Sequence, residues 1–328
     1  MNNPLMKVVC LALLGVLLAL PEQPKAQSSY PLKPVRLLTP FAVGTGAEVN
    51  TRLFGAKLSD QIRQPVVIDS KPGAGGMPSY LALTGSKPDG YTLLIGANTA
   101  LISKLLQPSN AYDPIADFAP ISQTSVGVTV LVVRADSPAR NVEDLVSQAK
   151  ANPGKLNYSS GGIASPAHLA CATFVAIAGI SVTHIPFKGG GEFLPSLLRG
   201  ESDFACPAGG NGMPFVKTGK LRALAVTGAS RSNNLPDVPT LREVLKSELV
   251  VQEIWGGIWA PAKTPTDVIR FLHGAVVNTI ADPALRQHYE ASGQPLVASN
   301  SPEAFGTFLM RENDKWREIV KISGAKVD

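Results

Sequence analysis

The residues best suited to chemistry in this 328-residue sequence lie in glycine-rich loops. In the first loop, Gly44, Thr45 and Gly46 follow Phe41 and lead to Glu48, between an apolar run and a helical pattern. Glycine lets backbone N–H groups approach a ligand closely, and the start of a helix carries partial positive charge. The loop therefore predicts a cradle for an anion such as a carboxylate or a phosphate.

Two further loops share this character. Residues 159–168 contain a glycine pair followed by Ser165 and Pro166, which are typical of a helix N-cap and the first residue of a helix. A second anion cradle is therefore expected there. Residues 71–76 form a third glycine-rich turn. Each loop alone is weak support for a binding site, because such turns follow strands in many α/β proteins.

Enzymatic alternatives have less support. Gly44 and Gly46 with Asp69 resemble a dinucleotide fingerprint, which would indicate an NAD-dependent oxidoreductase, but Val49 stands at the third glycine position. Ser165 beside His168 is better explained as a cap serine and a helix histidine than as a nucleophile and its base. The short motifs of serine hydrolases, nucleotide-binding loops and zinc peptidases are absent from the sequence. We expect no catalytic residue, no cofactor and no metal site.

The elements that must position these loops alternate along the chain. Apolar runs of about four to eight residues, each followed by a helical pattern, are typical of parallel strands covered on both faces and predict an α/β fold. These runs are residues 35–41, 66–68, 92–97, 128–133, 156–159, 182–187 and 221–226. Near the end of the chain, helical stripes over residues 268–280 and 303–322 predict packing into a core.

Composition restricts the class of protein. Hydrophobic residues make up 45% of the sequence and charged residues 17%, which excludes a disordered or fibrous chain. The length suggests about two domains of roughly 150 residues. The formal charge of +5 is not concentrated in a basic run, so nucleic acid is not an expected partner.

The first 26 residues resemble a secretory signal peptide. Lys7 precedes an apolar run over residues 8–20, and a polar stretch ends at Ala26. The run would rise only about 20 Å as a helix, whereas the hydrocarbon core of a bilayer is about 30 Å thick. We therefore expect cleavage near Ala26 and release into an exported compartment. Cys171 and Cys206 could form a disulfide there, but two cysteines in so long a chain favour small buried thiols.

Several short motifs, in order along most of the chain, resemble the tripartite tricarboxylate transporter solute receptors, the Bug-type periplasmic binding proteins. They include QPVV at residues 64–67, KPGAGG at 71–76, PDGYTLL at 88–94, FAPI at 118–121, HIPFKGG at 184–190, GKLRALAVT at 219–227 and LPDVPT at 235–240. The resemblance implies a two-domain, type II-like periplasmic binding protein with a ligand cleft between its domains. Residues 27–125 with 250–328 would form one domain and residues 126–249 the other.

The same resemblance implies a function. A monomeric receptor in the periplasm would close around a small organic carboxylate and deliver it to the subunits of a membrane permease. A sensor that docks on a membrane signalling protein is the alternative from a different class, because both kinds of protein use the same closing receptor. An enzyme is not expected.

The resemblance also implies the ligand-binding residues. They are Phe41, Gly44, Thr45, Gly46 and Glu48 from the first loop, and Ser160, Gly162, Ile163, Ala164, Ser165 and His168 from the second. Family members usually have a second glycine and an aspartate where this chain has Thr45 and Glu48. The longer acid moves its oxygens by roughly 1 to 1.5 Å. Ile163, where the family more often has a polar residue, suggests an apolar or aromatic part of the ligand.

Overall fold

Two mixed β-sheets from different stretches of the chain form the framework of the structure. This computed structural model describes residues 30–163, 165–188 and 190–325, so the predicted signal peptide lies outside the described residues. The strands are β1 (Val35–Thr39), β2 (Val66–Ser70), β3 (Thr92–Ala97), β4 (Phe118–Val128), β5 (Val130–Arg134), β6 (Asn157–Ser160), β7 (Thr183–Pro186), β8 (Phe204–Ala205), β9 (Leu221–Val226) and β10 (Glu253–Pro261). The strand orders are β2-β1-β3-β10-β4 and β7-β6-β8-β5-β9.

Helices follow most of the strands. In the described part they are α1 (Gly46–Ile62), α2 (Met77–Thr84), α3 (Thr99–Leu106), α4 (Val142–Ala151), α5 (Pro166–Ala178), α6 (Gly190–Arg199), α7 (Gly209–Lys217), α8 (Leu241–Leu245), α9 (Thr266–Ile280), α10 (Pro283–Ala291) and α11 (Pro302–Ser323). Side-chain N-caps define several starts: Asn141, Thr240 and Ser301 each accept a hydrogen bond from a backbone N–H in the first turn. Over the described residues, no helix combines the length and apolar character that a bilayer span requires.

Strand direction departs from the expected parallel pattern in the same way in both sheets. β1 pairs in parallel with β2 and β3, but β10 runs antiparallel to β3 and β4. In the second sheet, β6 is parallel to β7 and β8, whereas β5 is antiparallel to β8 and β9. The prediction of parallel strands is therefore wrong for part of each sheet. An apolar run indicates that a strand is buried on both faces, but such burial does not determine whether the strand pairs in parallel or antiparallel with its neighbours.

The chain passes between the two sheets at Thr129 and returns between β9 and β10. Residues 128–133, predicted as one run, are therefore divided between the end of β4 and the start of β5. Thr129 N–H donates to Thr227 Oγ1 (3.0 Å), and Thr227 Oγ1 donates to Gln252 O (2.7 Å). Backbone bonds join the same residues: Thr227 N–H to Thr129 O (3.0 Å) and Gln252 N–H to Thr227 O (2.9 Å). The two crossing segments are thus tied together, and the domain boundaries at residues 125/126 and 249/250 stay a prediction.

A buried carboxylate fixes α11 to the first sheet. Glu312 is 4% exposed, and its Oε2 accepts hydrogen bonds from the indole N–H groups of Trp255 on β10 (2.8 Å) and Trp316 (3.1 Å). Lys315 Nζ lies 2.6 Å from Glu312 Oε1. Pairing of this kind offsets the free-energy cost of burying a charge. The apolar stripe predicted over residues 303–322 is confirmed as core, because Phe305, Trp316 and their apolar neighbours on this face are buried.

A disulfide joins Cys171 on α5 to Cys206 after β8, with their Cα atoms 5.7 Å apart. Both residues are fully buried in the apolar core of the second sheet. The expectation of free thiols is therefore wrong, although the expected burial is right. The two residues are 35 positions apart, and only the packing of α5 against the sheet brings them within bonding distance.

Loss of this disulfide is expected to lower the free energy of unfolding by about 3 to 4 kcal/mol, because the bond closes a loop of 35 residues in the unfolded chain. Guanidinium denaturation of the wild type with and without dithiothreitol measures the effect. The double variant Cys171→Ala, Cys206→Ala is the control and should be insensitive to dithiothreitol. A wild type with the same midpoint in both conditions would contradict the assignment.

Candidate functional site

A cleft of about 1000 Å³ lies between the first glycine loop and the start of α7. Much of its described lining comes from three backbone segments, two of which contain glycine next to a helix start. The segments contribute Gly44, Thr45, Gly46 and Ala47; Ala208, Gly209, Gly210 and Asn211; and Ser292, Gly293 and Gln294. Because α7 lies between β8 and β9 of the second sheet and residues 292–294 follow α10, the walls of the cleft come from distant parts of the sequence.

The first wall is built by the N-cap of α1. Thr45 Oγ1 accepts from Glu48 N–H (3.4 Å) and donates to Ala42 O (2.7 Å), which fixes the entry of the chain into the helix. Gly44 has φ +84°, a conformation that favours glycine. The N–H groups of Gly46 and Ala47 begin the helix, where no intrahelical acceptor exists. Both residues line the cleft and carry donors suited to an anion.

Glu48 binds back to its own loop. Its side chain is 2% exposed, with Oε2 accepting from Gly44 N–H (3.3 Å) and Oε1 lying 2.5 Å from Arg52 Nε. The carboxylate therefore holds the left-handed turn at Gly44 in place. Direct contact between Glu48 and a ligand stays a prediction, and in this arrangement the side chain supports the loop.

The second predicted loop is organised by two serines. Ser160 is fully buried, its Oγ is hydrogen-bonded to His184 Nε2 (2.7 Å), and it accepts from Gly162 N–H (3.2 Å). Ser165 Oγ accepts from His168 N–H (3.2 Å), which confirms the expected N-cap of α5. Gly162 has φ +110°, and a Cβ there would lie 3.2 Å from Phe187 O. Glycine is thus required at this turn.

Phe41 and Pro166 bring the two predicted loops to a second, smaller cavity of about 170 Å³. Ile163, on the second loop, is 54% exposed, and Ala164 lies outside the described residues. The small cavity adjoins the large cleft, because four residues line both of them. These are Ala47, Asn50, Ile254 and Gln294.

Neutral groups dominate both spaces. Among the described lining residues there is no Lys, Arg, Asp or Glu. Three hydrogen bonds hold Asn50 in the wall. Its Oδ1 is hydrogen-bonded to His288 Nε2 (2.9 Å), and its Nδ2 donates to Ser292 Oγ (3.3 Å). Its backbone oxygen accepts from Tyr289 OH (3.0 Å). Burial raises the pKa of Tyr289, so this phenol stays neutral. An anion here would meet backbone N–H groups and amides instead of a cationic side chain.

The geometry agrees with what similarity to known proteins shows. Residues 51–325 match the sequence model of the tripartite tricarboxylate transporter family receptor. The chain belongs to this receptor family. Protein BugT of Bordetella pertussis is 31% identical over 326 residues, covering 97% of this chain and 98% of BugT.

Solved structures agree. Rpa4515 of R. palustris with adipate is 28% identical, with a TM-score of 0.77, and the match covers 91% of this chain and 100% of that one. MatC (Rpa3494) of Rhodopseudomonas palustris with bound malate is 26% identical, with a TM-score of 0.72, and the match covers 89% of this chain and 100% of MatC. The predicted α/β fold of a periplasmic binding protein is thereby confirmed.

Members of this family are periplasmic solute-binding receptors and not enzymes. The NAD-dependent alternative therefore loses its support. Asp69, its expected ribose-binding acid, instead forms an ion pair with Arg36 and lies 3.8 Å from Lys71 Nζ. Its carboxylate thus joins neighbouring strands of the first sheet.

Sequence reasoning missed the start of α7 and the loop after α10. The two meet closely in the receptor: a Cβ on Gly210 would overlap Ser292 O, and a Cβ on Gly293 would lie 2.6 Å from Gly210 N. The glycine pair at residues 209–210, just before a helical pattern, was a signal that could have indicated this wall. Nothing local indicated its partner at Gly293, because the contact joins residues more than 80 positions apart.

Two histidines and a tyrosine stack beneath the second loop. The ring centroids of His168 and His184 are 4.3 Å apart, and those of Tyr158 and His184 are 4.7 Å apart. Burial, reinforced by repulsion from His168, lowers the pKa of His184 to about 4, and burial lowers the pKa of His168 as well. Both imidazoles are neutral at neutral pH, with His184 bonded to Ser160.

The receptor is expected to lose stability as the pH falls from about 6.5 to about 4. In this window the unfolded state binds a proton at residue 184 that the folded state does not, so the free energy of unfolding decreases as the pH falls. Urea denaturation across the window compares the wild type with His184→Gln, which keeps a neutral hydrogen-bonding partner for Ser160. The variant should show a shallower pH dependence, and an identical slope would contradict the assignment.

Proposed function

We propose that this chain is an exported receptor that captures a small organic carboxylate by closing around it and delivers it to a membrane permease. One observation carries the proposal: the start of α1 and the start of α7 open on the same cleft, whose described lining contains no Lys, Arg, Asp or Glu. Relatives with the same fold hold malate and adipate. A small carboxylate is therefore the ligand class that suits both the wall chemistry and the family.

The carboxylate would be held mainly by backbone donors. The N–H groups of Gly46 and Ala47 lie at the positive end of the α1 dipole, and the start of α7, which lines the same cleft, would supply further donors. In the turn predicted as a second cradle, the N–H groups of Gly162 and Ser165 already donate to Ser160 Oγ and Gly162 O. Each charge-assisted hydrogen bond contributes about 1.5 to 3 kcal/mol. Phe41, Thr45 and the remaining predicted residues would shape the wall around these donors.

Closure would use the crossing segments as its hinge. Thr129, Thr227 and Gln252 join the two sheets through hydrogen bonds that involve few residues, so a small change in backbone angles there can open or close the cleft. Gly210 and Gly293 meet at the rim and would set how far the closed state can close.

Export and delivery complete the proposal. Residues 1–26 would direct secretion and be removed near Ala26, leaving a monomeric receptor in the periplasm. Family members work with the permeases of tripartite transporters. We propose that the closed, loaded form is the one that the permease subunits recognise.

Carboxylate binding is tested by a thermal-shift screen followed by titration calorimetry, with short mono- and dicarboxylic acids and their uncharged amides. At least one acid should stabilise the folded state, by about 2.7 kcal/mol at 100 times its Kd, while its fully amidated counterpart should not. Stabilisation by amides alone, or turnover of the bound acid, would refute the proposal.

Gly210→Ala is expected to weaken the affinity for the acid found in that screen by at least about tenfold, because the added methyl group overlaps a backbone oxygen that cannot easily move. Gly274→Ala on α9 is the matched control, since a Cβ there meets no atom within 4 Å. Calorimetry on both variants, after circular dichroism has shown that they fold, decides the point. Equal affinities for the two variants would exclude Gly210 from the closing contact.

A further inference from the structure

The smaller cavity contains a buried polar group that the proposed carboxylate contacts leave unused. Asn98 is 1% exposed and lines the cavity, and its Oδ1 has no hydrogen-bond partner among the described residues. An asparagine before a helix normally accepts from N–H groups of the first turn. Asn98 precedes α3 but has helical dihedrals, φ −54° and ψ −13°, and makes no side-chain capping bond.

The orientation of this amide is fixed by β10. Asn98 N–H donates to Trp255 O (3.0 Å), and Asn98 Nδ2 donates to Glu253 O (3.1 Å). A carbonyl oxygen cannot serve as donor, so the amide nitrogen must face Glu253 and the oxygen must face away from it. Oδ1 is thus presented as an acceptor, and its missing partner is an N–H or O–H donor.

The rest of the cavity wall combines apolar residues, such as Ile95 and Ile254, with neutral polar ones. Thr99, Thr124, Ser125 and Gln294 line it, and none of the described lining residues is charged. A Cβ on Gly256 would lie 2.6 Å from Ser125 Oγ and 2.8 Å from Thr124 Oγ1, so this glycine leaves room for the two hydroxyl groups. A second carboxylate would bring further acceptor oxygens to Asn98 Oδ1, which is itself an acceptor, and an ammonium group would find no carboxylate among the described lining residues to balance its charge.

The two spaces lie side by side and share part of their walls. Asn50 and Gln294 line both the cleft with the proposed carboxylate site and the small cavity that contains Asn98. Because Ala47 in the first turn of α1 also lines both spaces, a ligand anchored there would extend toward the cavity with its other end.

We infer that the receptor selects acids whose far end is a neutral hydrogen-bond donor, a hydroxyl or a carboxamide, with Asn98 Oδ1 as its acceptor. This inference rests on the proposed carboxylate function. It deepens that function by excluding dicarboxylates, the class represented by the adipate of a relative, as the preferred ligands.

Length-matched ligand pairs test the inference by titration calorimetry. The probes are succinate with succinamate and 4-hydroxybutyrate, and adipate with its monoamide and 6-hydroxyhexanoate. In at least one length class, the acid with the neutral end should bind at least about tenfold more tightly than the dicarboxylate, as expected where a site presents an unpaired acceptor.

Asn98→Ala should remove this preference while leaving the affinity for the dicarboxylate within a factor of about three. Asn110→Ala is the control, because Asn110 is also largely buried and bonded to the backbone of α3 but does not line the cavity. It should keep the preference of the wild type. The ligand comparison on the wild type decides the inference even where Asn98→Ala does not fold.

The experiment distinguishes failure of the inference from failure of the proposed carboxylate function. If dicarboxylates bind as tightly as the neutral-ended acids or more tightly, or if Asn98→Ala keeps the preference, the inference is wrong while the carboxylate function stands. If none of the acids binds, the proposed function itself fails, and the inference fails with it.

Discussion

The hydrogen bonds among Thr129, Thr227 and Gln252 are the constraint on which the two-sheet arrangement depends. Where the chain leaves one sheet for the other, its backbone polar groups lose their ladder partners while still buried, and such groups need replacements. The Thr227 hydroxyl supplies them by accepting from Thr129 N–H and donating to Gln252 O. Because the two crossings are bonded to each other, both sheets present their loops to one cleft, and α1 can face α7.

The order of elements was predictable, but their pairing was not. The strands β1, β3 and β9 lie within or at the predicted apolar runs, since burial on both faces of a strand requires continuous apolar residues. The run at residues 128–133 was misread as one strand because its residues are apolar on both sides of the crossing at Thr129. Likewise, β10 could not be assigned a direction from its composition, because its place between β3 and β4 depends on the return of the chain from the second sheet.

The same distinction applies to the site. Ser165 was predicted as an N-cap because the capping bond to His168 N–H spans three residues, and local signals determine such bonds. The turn at Gly44 was also marked locally, by glycine. The role of Asn98 could not be predicted from local sequence. Its side-chain nitrogen donates to the backbone oxygen of Glu253, a residue 155 positions away, and this bond leaves the side-chain oxygen without a partner in the described part of the chain. The disulfide was hidden for the same reason, since packing and not spacing brings its cysteines together.

Where backbone donors hold an anion without a cationic side chain, the selectivity of the site depends on the residues that contact the rest of the ligand. The donors of Gly46 and Ala47 belong to a helix start whose geometry is fixed by Thr45 and Glu48, so they can offer the same bonds to any carboxylate that reaches them. Affinity from these bonds is therefore common to all small acids. Discrimination must come from the walls that meet the rest of the ligand, where an unmatched polar group has a large free-energy cost and a matched one has little. In this receptor those walls are neutral, and Asn98 adds a buried acceptor to them. They therefore favour a ligand that carries a single negative charge at one end and a neutral hydrogen-bond donor at the other.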